Sequence, residues 1–215
     1  MVSDKPEEQP DLRTRARESI RAQIGTIAWS LFAQRGFNEV TADEVAKAAG
    51  ISRATFFRYF GSKEEAVFAA QEALGGEIAD ALSHRPAAED AWTALRQAFD
   101  AAIGNYARDP AEALARLRLT RETPALRAHQ LERQAQWQRM IAGALAARLN
   151  ADPLDLEIQA LVGGALSALD AAVSHWGECN GSIDLIELLD KTFEAIKGPH
   201  PELLPQATGG VTGGR

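Results

Sequence analysis

Residues 41–60 read TADEVAKAAGISRATFFRYF. Thr41-Ala-Asp-Glu44 has the form of a capping box: the Thr hydroxyl caps the first turn and the Glu reaches back. A helix over 42–49, a turn over 50–52 and a second helix over 53–60 follow. Ala46 is small where two such helices cross. Gly50 supplies the left-handed or tight backbone of the turn. Val45, Ala49, Ile51 and Phe56 are apolar at inward positions, and Ser52 is placed to cap the second helix. This is the helix-turn-helix pattern, whose second helix enters the DNA major groove.

The flanks fit the same unit. Ile20, Ile24, Ile27, Ala28, Leu31 and Phe32 form one face of a preceding helix. Gly36-Phe37 ends that helix and tucks a ring beneath it. Ser62-Lys63-Glu64-Glu65 reads as a second capping box.

The run LFAQRGFNEVTADEVAKAAGISRATFFRYFGSKEEAV, residues 31–67, resembles the DNA-binding segment of TetR-type transcriptional regulators. The resemblance implies three N-terminal DNA-binding helices, then a larger all-helical part that binds a ligand and dimerises. It implies repression of transcription, relieved by a small molecule. Carried residue by residue, Thr41 bonds a phosphate. Ser52 sits with the DNA-facing set as the cap of the recognition helix. Arg53 and Ala54 face base edges, and an arginine there can pair with guanine for about 1–3 kcal/mol of discrimination. Thr55 touches phosphate or a thymine methyl. Phe57 stands where the family often has tyrosine and keeps only apolar contact, with buried packing as the alternative. Arg58 reaches base or backbone, while Tyr59 and Lys63 grip phosphates. Phe56 and Phe60 face the core. Arg13, Arg15 and Arg17 are either further phosphate contacts or a solvated helix start.

Net charge qualifies this reading. The chain has 215 residues, a formal charge of −7 and a pI near 5.2, which taken whole argues against nucleic acid. By segment the balance changes: −3 over residues 1–12, +5 over 13–63 and −9 over 64–215. A basic module is joined to an acidic one. Hydrophobic residues at 46% and charged residues at 25% suit a globular chain of one or two domains. No apolar run approaches the roughly 20 residues of a bilayer span, so no membrane partner is expected. The first ten residues lack the apolar stretch of a secretory signal. The single cysteine, Cys179, rules out an internal disulfide framework and fits a cytoplasmic location.

The fold class expected is all-α. Periodicity and caps predict about nine helices: roughly 14–35, 42–49, 53–60, 63–83, 88–107, 110–121, 124–149, 153–178 and 182–197. Asp109-Pro110, Thr123-Pro124 and Asp152-Pro153 read as cap-then-proline starts, and Gly181 or Ser182 begins the last helix. The domains expected are a disordered start over 1–12, a DNA-binding head over 13–62, a ligand-binding and dimerisation body over 63–198 and a flexible tail over 199–215.

The body carries no catalytic or phosphate-binding motif and calls for no cofactor or metal. His175, Glu178 and Cys179 share one helix turn, which reads as a helix end rather than a ligand set. Trp92, Phe99, Ile103 and Tyr106 form one apolar stripe. Leu114 and Leu117 face inward from 110–121, and Trp137, Met140 and Ile141 form another stripe. Each reads as core taken singly; together they suit an apolar pocket between helices. Arg116, Arg118, Arg121, Arg127, Arg133 and Arg139 are surface pairs, or some line the mouth of that pocket and pair with an anion. Arg118 is the candidate placed in the site. The stretch DPAEALARLRLTRETPALRAHQLERQAQW more loosely resembles a family branch that binds acyl-CoA-like ligands, which implies an acyl chain in the pocket and a phosphate-bearing head near arginine. Leu161, Gly163, Gly164, Ala165, Ser167, Ala168, Ala171 and Ala172 give 153–178 a face of small residues. Leu185, Leu188, Leu189, Phe193 and Ile196 give 182–197 an apolar stripe. These two helices are expected to form a homodimer, whose twofold symmetry implies an inverted-repeat operator in double-stranded DNA. Two other classes remain open: a helical carrier or enzyme with a vestigial head, and a DNA-binding dimer with no effector.

Overall fold

The computed structural model describes residues 12–198; the expected disordered start and flexible tail lie outside the described residues, Leu12 excepted. In chain order the helices are α1 (Leu12–Arg35), α2 (Ala42–Ala48), α3 (Arg53–Tyr59), α4 (Lys63–Val67), a single 3₁₀ turn (Ala69–Gln71), α5 (Leu74–Ser83), α6 (Ala91–Ala98), α7 (Asp100–Arg108), α8 (Pro110–Glu122), α9 (Pro124–Leu149), α10 (Leu156–Glu178) and α11 (Leu185–Lys197). No strand occurs among the described residues.

Local chemistry sets the head. Thr41 and Glu44 form the full capping box of α2: the Glu44 amide donates to the Thr41 hydroxyl at 3.2 Å and the Thr41 amide to the Glu44 carboxylate at 2.9 Å. Ser52 caps α3 by accepting from the Thr55 amide at 3.1 Å. Gly36 and Gly50 adopt φ of +87° and +68°, the left-handed region that a β-carbon penalises. Ser62 caps α4, but the second box is skewed, since Glu65 reaches the Gly61 amide instead. Phe32, Phe37, Val40, Val45, Phe56 and Phe60 are buried together. Ala66, Val67 and Phe68 of α4 and its C-cap, and Leu126 of α9, join that same core.

The body packs α5, α6, α7, α9, α10 and α11 around Leu82, Leu95, Phe99, Ile141, Leu145, Leu169 and Leu189. Two contacts are close enough to require glycine. A β-carbon on Gly75 would lie 2.3 Å from Cδ1 of Trp137, and one on Gly25 would lie 2.6 Å from the Ala69 β-carbon. The indole nitrogen of Trp137 is buried with no acceptor among the described residues.

The structure redraws several expected boundaries. The helix expected over 63–83 breaks at Phe68, because the Val67 carbonyl accepts from the Arg116 guanidinium and the next turns close with tighter i→i+3 bonds. The break seats Ala69 against Gly25. The helix over 88–107 divides at Phe99, whose carbonyl takes both the Ala102 and Ile103 amides. Asp152-Pro153 starts no helix: Asp152 binds the Leu154 amide in a turn, and α10 begins after Asp155. The last helix is capped by Asp184, not by residues 181–182. Helix α10 also qualifies the membrane reading. It is 23 residues long with a mean hydropathy of 1.4 in its best window, enough by length and composition for a span. Here Ile158, Val162, Ala165, Leu169 and Ala172 are buried against the body.

Candidate functional site

The outer surface of α3 is assembled as the helix-turn-helix pattern requires. Phe56 and Phe60 are buried, so the helix turns Ser52, Arg53, Ala54, Phe57 and Arg58 outward, with Thr55 and Tyr59 at the edges. Thr41 is exposed at the start of α2. Phe57 is 42% exposed, which removes the buried-packing alternative. Arg53 pairs with Asp43 at 2.8 Å across the two helices, and its guanidinium lies 5.4 Å from the Phe57 ring centre. Arg58 stacks on Tyr59. Lys63 is placed differently from an open phosphate grip: its ammonium donates to the Phe37 and Val40 carbonyls at 2.9 and 3.1 Å and lies over the Phe37 ring. It therefore holds the turn between α1 and α2 from the first residue of α4.

A second basic residue acts from inside. Arg21 is buried, donates to the Tyr59 carbonyl at the end of α3, and pairs with Glu65 and Glu72 at 2.7 and 2.6 Å. It also stacks on Phe60 at 4.6 Å. One side chain thus ties α1 to the recognition helix, to α4 and to the start of the body. Only its place on the inward face of α1 marks it in the sequence.

The proposed ligand residues divide. Phe99, Ile103 and Ile141 are buried in the body core, with Phe99 6.0 Å from Phe193. Trp92 packs on Phe193 and on Gly164, and its indole donates to the Phe193 carbonyl. Leu114 lies against Gly181 at the end of α10. Met140 is not inward: it is 46% exposed, because its place on α9 is turned from the 137–141–145 face toward Gly76. Arg118 also points outward and donates to Asn180 at 3.0 Å. The remaining three, Tyr106, Leu117 and Trp137, sit around two other arginines.

Arg116 is buried on α8 and stacks on Trp29 of α1 at 4.4 Å while it donates to the Val67 carbonyl and pairs with Glu112. Arg133 of α9 lies between the rings of Phe68 and Trp137, at 4.3 and 5.1 Å, and donates to Gln71 at 2.9 Å. It has no carboxylate partner among the described residues. Burial pulls the Arg133 guanidinium down to about 10 and the Tyr106 hydroxyl above its ordinary value. Tyr106, Thr120, Gln130, Leu117, Gln71, Arg116 and Arg133 line a slot of at most about 260 Å³. Phe68 and Arg133 separate it from a more acidic vestibule lined by Glu65, Glu72, His129 and Glu132. No cluster fit to hold a metal occurs among the described residues; His175 lies 3.6 Å from the Cys179 sulfur and 3.8 Å from the Glu178 carboxylate at the helix end.

Comparison with known proteins decides what kind of chain carries this head and body. Residues 26–70 match the model for bacterial regulatory proteins of the tetR family, and residues 89–212 match that for the MftR C-terminal domain. The chain belongs to the TetR family. This TetR-family regulator is 32% identical over 201 residues to the HTH-type transcriptional regulator TcmR of Streptomyces glaucescens, covering 90% of this chain and 88% of that one. It is 30% identical over 188 residues to the mycofactocin biosynthesis regulator MftR of Mycobacterium tuberculosis, covering 85% and 91%. Among solved structures, FadR of Thermus thermophilus in complex with lauroyl-CoA superposes with a TM-score of 0.59 at 24% identity, over 84% of this chain and 97% of that one. FadR of Bacillus subtilis with stearoyl-CoA superposes at 0.56 and 20% identity, over 83% and 98%. These two establish the shared fold. The relatives are transcriptional regulators, and this TetR-family chain is one rather than an enzyme.

Proposed function

We propose that this regulator acts in the cytoplasm as a homodimeric repressor, released from an inverted-repeat operator by a hydrophobic or acyl-CoA-like small molecule. The observation that carries the DNA half is the exposed row Arg53, Ala54, Phe57 and Arg58 on a helix whose opposite face is buried. Thr41, Ser52, Thr55 and Tyr59 border that row and supply hydroxyls for phosphates. Arg53 trades Asp43 for a base edge on binding, and Lys63 contributes by fixing the turn ahead of α2.

Helices α10 and α11 carry the dimer half of the proposal. Ala165, Ala168 and Ala172 face inside the protomer, so the small-residue face is narrower than the sequence reading. Gly163 has open space above its α-carbon, and Ser167 and Ala171 continue its row outward. Ile186 and Ile196 add exposed apolar surface on α11. A twofold pair would set two α3 helices roughly 34–36 Å apart, one turn of DNA.

Coupling runs through α4, which shares the head core and ends on the slot arginines. Effector binding that moves α4 changes the spacing of the heads, and by linkage DNA and effector weaken each other equally. The test is a gel-shift titration on the DNA upstream of the protein's own gene. A shifted complex of twofold stoichiometry is expected; failure to bind any inverted repeat at low salt overturns the proposal.

A further inference from the structure

We infer that the slot beside α4 recognises a small carboxylate, held by Arg133, and that this anion is what loosens α4. The inference rests on the effector-released repressor proposed above and assigns it a compact acid in place of an acyl-CoA-like effector.

Two arginines face one slot, yet their partners differ. Arg116 has Glu112 and the Val67 carbonyl. Arg133 has only the neutral Gln71 and two aromatic faces. The nearby acids lie on the vestibule side: Glu65 and Glu72 pair with Arg21, and the Glu132 carboxylate is exposed to solvent. Arg133 is half-buried without a carboxylate of its own, and a planar guanidinium fork matches a carboxylate in geometry and charge. Around it stand hydrogen-bonding groups of Tyr106, Thr120 and Gln130, with Leu117 and Phe68 as apolar walls. The slot opens only about 20 Å³ to the centre of a water molecule, room for about one water. That is far below the roughly 300–1,000 Å³ of drug-sized sites. The occupant is therefore a compact acid, and it must displace wall residues to enter.

The walls it displaces are the coupling. Val67 ends α4 and is held by Arg116; Phe68 caps α4 and is held by Arg133. At the other end of this short helix, Lys63 holds the Phe37 and Val40 carbonyls of the head. An anion that draws Arg133 from Phe68 and competes for Arg116 frees one end of a lever whose other end braces α2.

The test uses the full-length protein with benzoate and its neutral isostere benzamide, read by intrinsic fluorescence and by competition with a selected inverted-repeat DNA. Trp137 and Trp29, which touch the two arginines, are the reporters. Benzoate is expected to shift the emission, raise the melting temperature and weaken DNA binding, and benzamide to do none of these. Arg133→Met is expected to melt at or above the parent temperature, since it removes an unpaired charge, and to weaken the benzoate response at least roughly tenfold. Arg133→Lys retains part of the response, and the exposed Arg139→Gln retains all of it. Equal responses to benzoate and benzamide, or a benzoate response unchanged in Arg133→Met, overturn the inference. Release of DNA by lauroyl-CoA but not by benzoate overturns it while leaving the repressor reading intact. Absence of any DNA complex overturns that reading instead.

Discussion

A buried arginine stripped of its acceptors leaves more behind than an exposed one stripped of its partner. Arg21 and Arg53 are that contrast in one head. Arg21→Gln loses the Tyr59 carbonyl and both carboxylates, and leaves Glu65 without its cation. The expected loss is about 2–4 kcal/mol in urea unfolding. Arg53→Ala loses an exposed pair with Asp43 and is expected to change stability by less than about 1 kcal/mol. Its effect belongs to DNA, where relaxed sequence preference is expected in competition binding. Glu44 gives the head an acid limit. The Thr41 amide, then Arg35 and the Thr41 hydroxyl, lower its carboxyl from 4.5 to about 2. A depressed carboxyl stabilises the fold fully above pH 4.5, and that contribution is lost as the pH falls toward 2. Parent protein and Glu44→Gln should therefore differ in melting temperature at pH 6 and converge near pH 2.

Helices here are placed by caps that are local and broken by contacts that are not. Gly75 shows the second kind: Gly75→Ala drives a methyl into Trp137 and is expected to cost about 1–3 kcal/mol, with a change in tryptophan emission. The same division explains what was legible in the sequence. The Thr41–Glu44 box, the Ser52 cap and the left-handed Gly36 and Gly50 act within a few residues of themselves, so the head could be read directly. The break at Phe68 could not, because the group that takes the Val67 carbonyl is Arg116, 49 residues away. Of the residues read as lining a pocket, Tyr106 and Leu117 fall in the slot, and the anion-pairing expected of some arginines is carried into the proposal for Arg133. Which arginines turn inward was not legible. Arg116 and Arg118 are two positions apart, about 200° around a helix, so one is buried under Trp29 and the other meets solvent. The inward face expected from Leu114 and Leu117 carries Arg118 with it at i+4 of Leu114, whereas the buried row is Ala113, Arg116 and Thr120.

At the scale of the molecule, the acidic body and basic head divide the electrostatic labour. In the proposed mode the +5 of residues 13–63 faces DNA, and the −9 of residues 64–215 disfavours its approach by other faces. The division of charge is not a division of cores. Leu126 belongs by sequence to the body's long α9 yet is buried in the head core beside residues 66–69. Leu126→Ala is expected to cost about 2–5 kcal/mol and to weaken DNA binding from a site that touches no DNA, as measured by melting and gel shift. That shared leucine sets a rule for anyone building chimeric regulators. A graft cut just after α3 would carry every side chain proposed to read bases and still arrive with a hole in its floor. A recipient must either bring its own plug of the right size or receive α4 and the matching turn of α9 as one cassette.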